Sequence, residues 1–491
     1  MVDPTPEQRV AIDTYGDGVD MVMQAGAGCG KSSTLKEIAR SDIRRLMLYV
    51  AYNKPIVAEA SRSFPGNVTC KTGHGLAFDP RYLPRIQRPR QTAKDAADAL
   101  DVRGILNIVG AVPTIKNDAG QLTPMVTKVV MRLALETVDR FCHSADDEIT
   151  ARHVPHIEGL DKPEARAKLL ELVLPVAVAA WGDILTDNGV LKFSHDYYLK
   201  IWALGRPRLP ADVVLLDEAQ DTNDVLSSVL LDQEHAQRIA VGDSAQQIYS
   251  WRGANDALTK FTRELGASEL TLSQSFRFGP AIAEAANKWL RLINAPLRLT
   301  GWDACDSRTG LIEAPDAILC RTNAGAMGLL LEAMDADKKV AMVGGRDDLR
   351  RLAWAAEALQ AGRPTEHPEF IAFPNWSAVR EYAAEEDNSL KVLVDLIDEH
   401  GPAAILTAAE GLVDEKQADL VISTAHKSKG REWNRVRIHG DFKGPRPDPQ
   451  TQHIAVPREE ARLAYVAVTR AREVLDAQAL AWVDTVTLVT D

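Results

Sequence analysis

Residues 21–35, MVMQAGAGCGKSSTL, run from an apolar stretch through a glycine-rich turn into Gly30, Lys31 and Ser32. A turn of this kind aims main-chain N–H groups at one point at the start of a helix, which makes a nest for an anion. The phosphate-loop pattern G-x-x-x-x-G-K-[ST] puts its spaced positions at Ala25, Gly30, Lys31 and Ser32, so alanine replaces the first glycine, while Gly26 and Gly28 keep the loop free to turn. Ala27, Cys29 and Ser33 complete the candidate cradle. Lys31 would reach the β- and γ-phosphates of ATP, and Ser32 would offer its hydroxyl to Mg2+. A second pair of the right type, Asp217 and Glu218, ends the apolar run VVLLDEAQD. Asp217 would hold Mg2+ through water and Glu218 would polarise the attacking water. The alternative for the first segment is a turn with an exposed lysine, and for the second a helix cap. Together they point to triphosphate hydrolysis.

These residues need strands that end at one edge of a sheet. DMVMQ (20–24) reads as a short strand, and STLKEIAR after the glycines as a helix with Leu35, Ile38 and Ala39 on one face. Ahead of them, Thr5, Pro6 and Glu7 are suited to cap, open and charge a helix start. RLMLYVAY (45–52), ADVVLLDEAQD (211–221) and AQRIAVGD (236–243) read as wholly buried strands of the kind parallel sheets require, with the acidic pair on a strand neighbouring the phosphate loop. AILCRTN (317–323), KVAMVGG (339–345), DLVISTAH (419–426) and RVRIHGDF (435–442) form a second cluster. The pattern predicts an α/β protein with two RecA-like, doubly wound parallel-sheet cores and mainly helical insertions. Residues 1–79 and 196–275 would make the first core, and 276–346 and 416–491 the second. Residues 80–195 would be a helical, DNA-contacting insertion, and 347–415 a small helical one.

Composition sets outer bounds. The 491 residues are 45% hydrophobic and 26% charged, which suits two to four globular domains. No apolar run approaches the ~18 residues of a membrane helix, and the polar start MVDPTPEQ does not read as a signal peptide. Five cysteines without a CxxC pair argue against a disulfide framework or zinc site and for a reduced, cytoplasmic setting. The net charge of −12 leaves room for a local basic groove. RYLPRIQRPRQTAK (81–94) holds four Arg and one Lys without an acid, and reads as a solvated loop or a DNA-facing rim.

Four further segments, DEAQD, VGDSAQQIYSWRGA (241–254), STAHKSKGREW (423–433) and EEARLAYVAVTRAR (459–472), resemble in order and spacing the signature segments of superfamily 1 DNA helicases of the UvrD/Rep type. KTGHGLAF (71–78) and SHDYYLKIW (194–202) resemble the helicase portion of the F-box DNA helicases and of compact phage or bacterial relatives. On this reading no F-box-like segment precedes the motor and no nuclease segment follows Arg472. The resemblance implies an ATP- and Mg2+-dependent helicase, a functional monomer near the nucleoid or host DNA. It would act on single-stranded DNA and single/double-strand junctions, with a nuclease or recombination factor as a possible partner.

Residue by residue, the resemblance assigns Gln8 to adenine, whose edge matches an amide's donor and acceptor. It assigns Gln246 to sensing the γ-phosphate, and Arg277 (in QSFRFGP) and Arg470 to the arginine fingers that steady the transferring phosphoryl group. Glu432, with Gly430 beside it, would meet the ATP ribose. Thr424, His426 and Lys429 would lie near DNA phosphates or the interdomain linkage, and AHKSKG stands where LHSAKG is usual, which adds Lys427. Asn53 and Lys54 match the first DNA-contacting loop; the family's aromatic two residues before that asparagine is replaced by Tyr52 directly before it. Thr72 and His74 match a phosphate contact, with capping or core packing as the alternative for His74. Tyr249 and Trp251, spaced by two on an extended segment beside Arg252, share one side and suit stacking on bases. The resemblance further implies that ATP closes two cores on each other, moving them about one nucleotide 3′-to-5′ per turnover. A translocase that strips proteins from DNA, and a DNA-triggered ATPase subunit beside a nuclease, stay open as alternatives. A plain metabolic kinase does not fit Gln246, Tyr249, Trp251 and Arg470 in sequence.

Overall fold

Parallel strands buried on both faces need unbroken apolar runs, and in a computed structural model the two sheets form where those runs lie. The structure describes residues 3–89, 91–108, 124–157, 162–248, 257–365, 367, 370, 373–385, 388–449 and 452–490. The chain divides into two compact units. The first comprises Met1–Gln24, Lys31–Asp243 and Tyr249–Thr271, and the second Ala25–Gly30, Ser244–Ile248 and Leu272–Asp491.

The first sheet contains β1 (Met21–Ala25), β2 (Met47–Ala51), β3 (Val68–Thr72), β4 (Val213–Leu216), β5 (Gln237–Gly242) and β6 (Ser268–Leu272), in the order β3-β2-β4-β5-β1-β6. β1 pairs with β5, β5 with β4, β4 with β2 and β2 with β3, all parallel. β5 therefore separates β1 from β4, so the acidic pair does not follow the immediate neighbour of the phosphate-loop strand. The edge strands β3 and β6 are partly exposed and polar, VTCKT and SELTL. That is why they carry no apolar run in the sequence. The capping expectation at the N-terminus is met: Thr5 and Gln8 form a reciprocal capping box on the helix Pro6–Gly16.

Between β3 and β4 the described residues are mainly helical, as the sequence suggests. The helices Pro124–His143 and Pro163–Leu185 pack on Val102, Leu106 and Phe193 around a core that includes Met131, Phe141 and Val173. The stretch 81–94 is not solvated throughout. Arg85 is 5% exposed and donates to the carbonyls of Ile184 (2.9 Å), Thr186 (2.7 Å) and Leu191 (3.4 Å), with its guanidinium 4.8 Å from the Phe193 ring centroid. Arg88 donates to Gly189 O. A basic run gives no hint of this, because the acceptors are main-chain oxygens a hundred residues away.

The second sheet contains β7 (Arg308–Thr309), β8 (Ala317–Cys320), β9 (Val340–Met342), β10 (Leu420–Thr424), β11 (Trp433–Ile438) and β13 (Ala471–Asp476), in the order β7-β13-β11-β8-β10-β9. β12 (Ala455–Pro457) and β14 (Leu488–Thr490) pair separately. The helices Gly345–Gln360, Trp376–Glu385 and Asn388–Gly411 follow β9, the last broken at Gly401 (φ 76°) before Pro402. Ala353, Val379 and Ile405 from these helices share one apolar cluster with Ile318, Cys320 and Ile422 of the sheet. The segment 347–415 is thus built onto the sheet's own core.

Candidate functional site

In the first unit, β1 leads through the glycines to the helix Lys31–Ser41, held by buried Thr34, Leu35, Ile38 and Ala39. Asp217, 1% exposed, follows β4. Its Oδ2 accepts hydrogen bonds from Ser32 Oγ (2.9 Å) and from Tyr49 Oη (2.7 Å), and its Oδ1 accepts from the N–H of Glu218 (2.9 Å). Glu218 sits in the left-handed region (φ 53°, ψ 44°), a conformation that disfavours side chains by ~1–2 kcal/mol. Its Oε2 lies 3.1 Å from Lys31 Nζ and accepts from Gln220 Nε2 at 2.7 Å. Gln220, fully buried, spans to the end of β5, where its Oε1 accepts from Asp243 N–H (2.9 Å). A Cβ on Gly242 would come within 2.3 Å of that oxygen, which explains the glycine.

Burial and the adjacent Glu218 carboxylate push Asp217 above its ordinary value, against Lys31, Tyr49 and Ser32. Burial works against the Lys31 ammonium, but Glu218, Asp243 and Asp217 outweigh it, and Lys31 is held above its usual range. The Tyr49 phenol is pushed up by burial and then by Asp217, so it remains a donor. Ser32 and Asp217 are hard oxygen donors of the kind Mg2+ takes, and their closeness fits that ion. Tyr49 and Gln220 escaped attention in the sequence. The only signal was a hydroxyl and an amide inside otherwise apolar or acidic runs.

Other expected ligands of the first unit double as structural groups. Gln8, 8% exposed, accepts from Thr5 N–H and donates to Thr34 Oγ1 at 3.1 Å. Asn53 caps the helix Lys54–Ser63 by accepting from Ile56 N–H (3.0 Å), while Tyr52 (47%) and Lys54 stand exposed beside it. Thr72 caps the short helix Gly73–Ala77, and His74 Nε2 lies 2.9 Å from Asp196 Oδ1. Ser33 is exposed. Tyr249, Trp251 and Arg252 lie outside the described residues.

In the second unit, the loop 25–30 is held by main-chain and side-chain partners. Gly26 N–H donates to Leu272 O (3.2 Å), Ala27 N–H to Tyr465 Oη (3.3 Å), Cys29 N–H to Gly26 O (3.2 Å), and Ser275 Oγ to Ala27 O (2.8 Å). Three amides of the candidate nest are therefore already engaged. Gly28 and Gly30 have φ of 75° and 77°, which glycine adopts without strain. A Cβ on Gly28 would lie 2.6 Å from both Arg277 Cβ and Ser275 Oγ. Arg277 Nε donates to Glu432 Oε2 (2.6 Å), and its Nη1 to Thr469 O (3.0 Å). Arg472 also faces Glu432, at 3.6 Å.

Arg470 is 1% exposed and donates to Val466 O (2.8 Å), Arg431 O (3.3 Å), Thr469 Oγ1 (2.8 Å) and Gln246 Oε1 (3.5 Å). Lys429 Nζ donates to Gln246 O at 2.6 Å. Thus Gln246, Lys429 and Arg470, far apart in sequence, meet here, and so do Arg277 and Glu432. Thr424 is buried and its Oγ1 accepts from Lys427 N–H (3.4 Å); Lys427 pairs with Asp348 at 2.7 Å. Burial and then Arg321 hold the His426 imidazole below its usual value, which disfavours the cation. Gly430, φ 83°, is exposed.

With this geometry in place, comparison with known proteins shows what the chain resembles. A family model of the UvrD/REP helicase N-terminal domain matches residues 199–265, and one of the UvrD-like helicase C-terminal domain matches residues 376–477. F-box DNA helicase protein 1 of Schizosaccharomyces pombe is 28% identical over 509 residues, covering 96% of this chain and 56% of the relative. F-box DNA helicase 1 of Gallus gallus is 28% identical over 511 residues, covering 96% and 48%. DNA helicase II of Escherichia coli is 32% identical over 115 residues, 22% of this chain and 15% of the relative. The chain spans about half the length of the two F-box relatives it matches. Two parallel sheets, the segments that end their strands, and matches to both the N- and C-terminal helicase domains lead to one conclusion: the chain is similar to the UvrD/Rep-type DNA helicases in both of those parts.

Proposed function

We propose that this chain is an ATP-dependent DNA helicase that moves 3′-to-5′ on single-stranded DNA and separates strands at single/double-strand junctions in repair, recombination or replication. The observation that carries the reading is the double convergence behind Lys31. Two hydroxyls, Ser32 and Tyr49, meet on one oxygen of Asp217, while Lys31 and Gln220 meet on one oxygen of Glu218. Mg2+ held by Ser32 and Asp217 would offset charge on the β- and γ-phosphate oxygens. A γ-phosphate that draws Lys31 to itself would release Glu218 to orient the attacking water. Arg277 and Arg470 are the guanidinium groups suited to the charge that spreads over the γ-oxygens, with Gln246 bonded to Arg470 as the sensor. Gln8 and Glu432 would meet adenine and ribose.

On the DNA side, Tyr52, Asn53, Lys54, Thr72, His74, Tyr249, Trp251, Arg252, Thr424 and His426 would carry backbone grip and base stacking, which is neutral to sequence. The test is ATP turnover with and without single-stranded DNA, followed by unwinding of 3′- and 5′-tailed duplexes. DNA-stimulated turnover with unwinding of the 3′-tailed substrate is expected. Turnover that DNA does not change would refute the reading. Stimulated turnover with displacement only of bound proteins, or with no directional movement, would turn it into the stripping translocase or the sensor subunit.

A further inference from the structure

The two segments that set this chain apart in sequence, 71–78 and 194–202, are joined in the first unit by one carboxylate. Asp196, near the start of the helix His195–Leu204, meets His74 Nε2 at 2.9 Å on one oxygen and His143 Nε2 at 3.5 Å on the other. His143 is the last residue of the helix Pro124–His143. The three side chains are 30–39% exposed, so the trio opens to solvent. Edge-on contacts from the Tyr198 ring (5.9 Å) and the His195 ring (6.5 Å) fix the plane of His74.

The chemistry of this arrangement is directional. An ionised carboxylate only accepts, so the bond to Asp196 places a proton on Nε2 of His74. The other ring nitrogen, Nδ1, is then a bare lone pair when the ring is neutral and an N–H donor when it is a cation. A phosphate oxygen is itself an acceptor, so neutral His74 repels it and protonated His74 binds it. We propose that Asp196 is a positioning residue that makes the grip of His74 on a DNA phosphate proton-coupled, and that His143 tunes the coupling by competing for the same carboxylate. This rests on the reading of His74 as a DNA contact.

Burial alone would push Asp196 up, but the bonds from His143 and His74 more than reverse it and hold the carboxyl well below its usual range. The bond to Asp196 in turn holds His143 above its ordinary value, against burial. Other titratable groups face the trio from each packed element. The Pro124–His143 helix contributes Glu136, Asp139 and Cys142; burial pushes Asp139 up to about 6, so it becomes a second negative neighbour of His143 only as the pH rises through that value, in wild type and variants alike. The helix of Asp196 contributes His195, Tyr197 and Tyr198. β3 brings Lys71 beside Gly75.

The test is the affinity of the full chain for a labelled oligothymidine, by fluorescence anisotropy from about pH 5.5 to 8.5 at fixed ionic strength. Wild type should lose about tenfold more affinity than His74→Gln as the pH rises across this range. Asp196→Asn should move that loss to lower pH, and His143→Gln, which leaves Asp196 to His74 alone, should move it to higher pH. Opposite shifts are what a merely structural role would not produce. Should Asp196→Asn fold poorly, the half-exposed His143→Gln still decides the matter. A His74→Gln profile that overlays wild type, or shifts in the same direction for both neighbours, would overturn the coupling while leaving the helicase reading intact. No oligothymidine binding by wild type at any pH would remove the helicase reading and this inference with it.

Discussion

Replacing Arg85 by methionine should loosen the helical insertion while leaving DNA contacts untouched. Methionine refills most of the apolar stem but removes every donor. Two well-made bonds are lost, to Ile184 O at 2.9 Å and Thr186 O at 2.7 Å, and the weaker one to Leu191 O at 3.4 Å. Ile184 O belongs to the last turn of the helix Pro163–Leu185, where carbonyls have no partner within the helix. A buried acceptor stripped of its donor costs ~1–3 kcal/mol. Relief from burying the guanidinium, which lies 3.8 Å from Asp183, offsets part of this. The net expectation is a loss of about 3 kcal/mol. The turn around Arg85 is tight: a Cβ on Gly189 would lie 2.4 Å from its Nη2. Chemical denaturation should show an earlier midpoint, and limited proteolysis should open first near 186–192. Single-strand affinity per folded molecule should hold. An unchanged midpoint with reduced DNA affinity would refute the reasoning and restore the basic run as a DNA-facing rim.

The remaining expectations address the proposed phosphate site and one buried cation. Lys31→Ala should abolish ATP turnover and spare single-strand binding, read by a coupled ATPase assay and by anisotropy; undiminished turnover would refute the cradle. Tyr49→Phe removes one charge-assisted bond to Asp217, worth ~1.5–3 kcal/mol, and should raise the Mg2+ concentration for half-maximal turnover about tenfold or more, whereas an unshifted Mg2+ curve would exclude Tyr49 from positioning Asp217. Gly28→Ala forces a left-handed residue and a 2.6 Å approach to Arg277 Cβ, so turnover and thermal stability should both fall; wild-type behaviour in both would show that the loop relaxes freely. Burial lowers Lys200 from 10.5 to about 8, although it donates to Ser144 O at 2.8 Å. Its folded form sheds the proton first, so the cost of its charge is full below pH 8. Stability relative to Lys200→Met should therefore rise between pH 8 and 10.5, and a denaturation midpoint gap constant across that window would contradict it.

Much of the architecture was legible in the chain because central parallel strands must be apolar throughout, and MVMQA, MLYVA and VVLL announce themselves. The edge strands β3 and β6 were not, since one open edge tolerates VTCKT and SELTL. The residues of the proposed phosphate site could be named because glycine conformations and a Gly-Lys-Ser order leave few other uses. Their helpers could not. Tyr49 and Gln220 matter only because β2, β4 and β5 lie side by side and bring a hydroxyl and an amide onto Asp217 and Glu218.

The sequence by itself determined the two sheets, the candidate phosphate loop and the resemblance to UvrD/Rep-type helicases, all of which depend on local order and spacing. Only the tertiary structure decided that Arg85 clamps a turn, that Gln246 meets Arg470, and that one carboxylate, Asp196, serves two histidines. Hydrogen bonds between residues about 50 to more than 200 positions apart leave no local pattern, because they depend on where the chain returns in space.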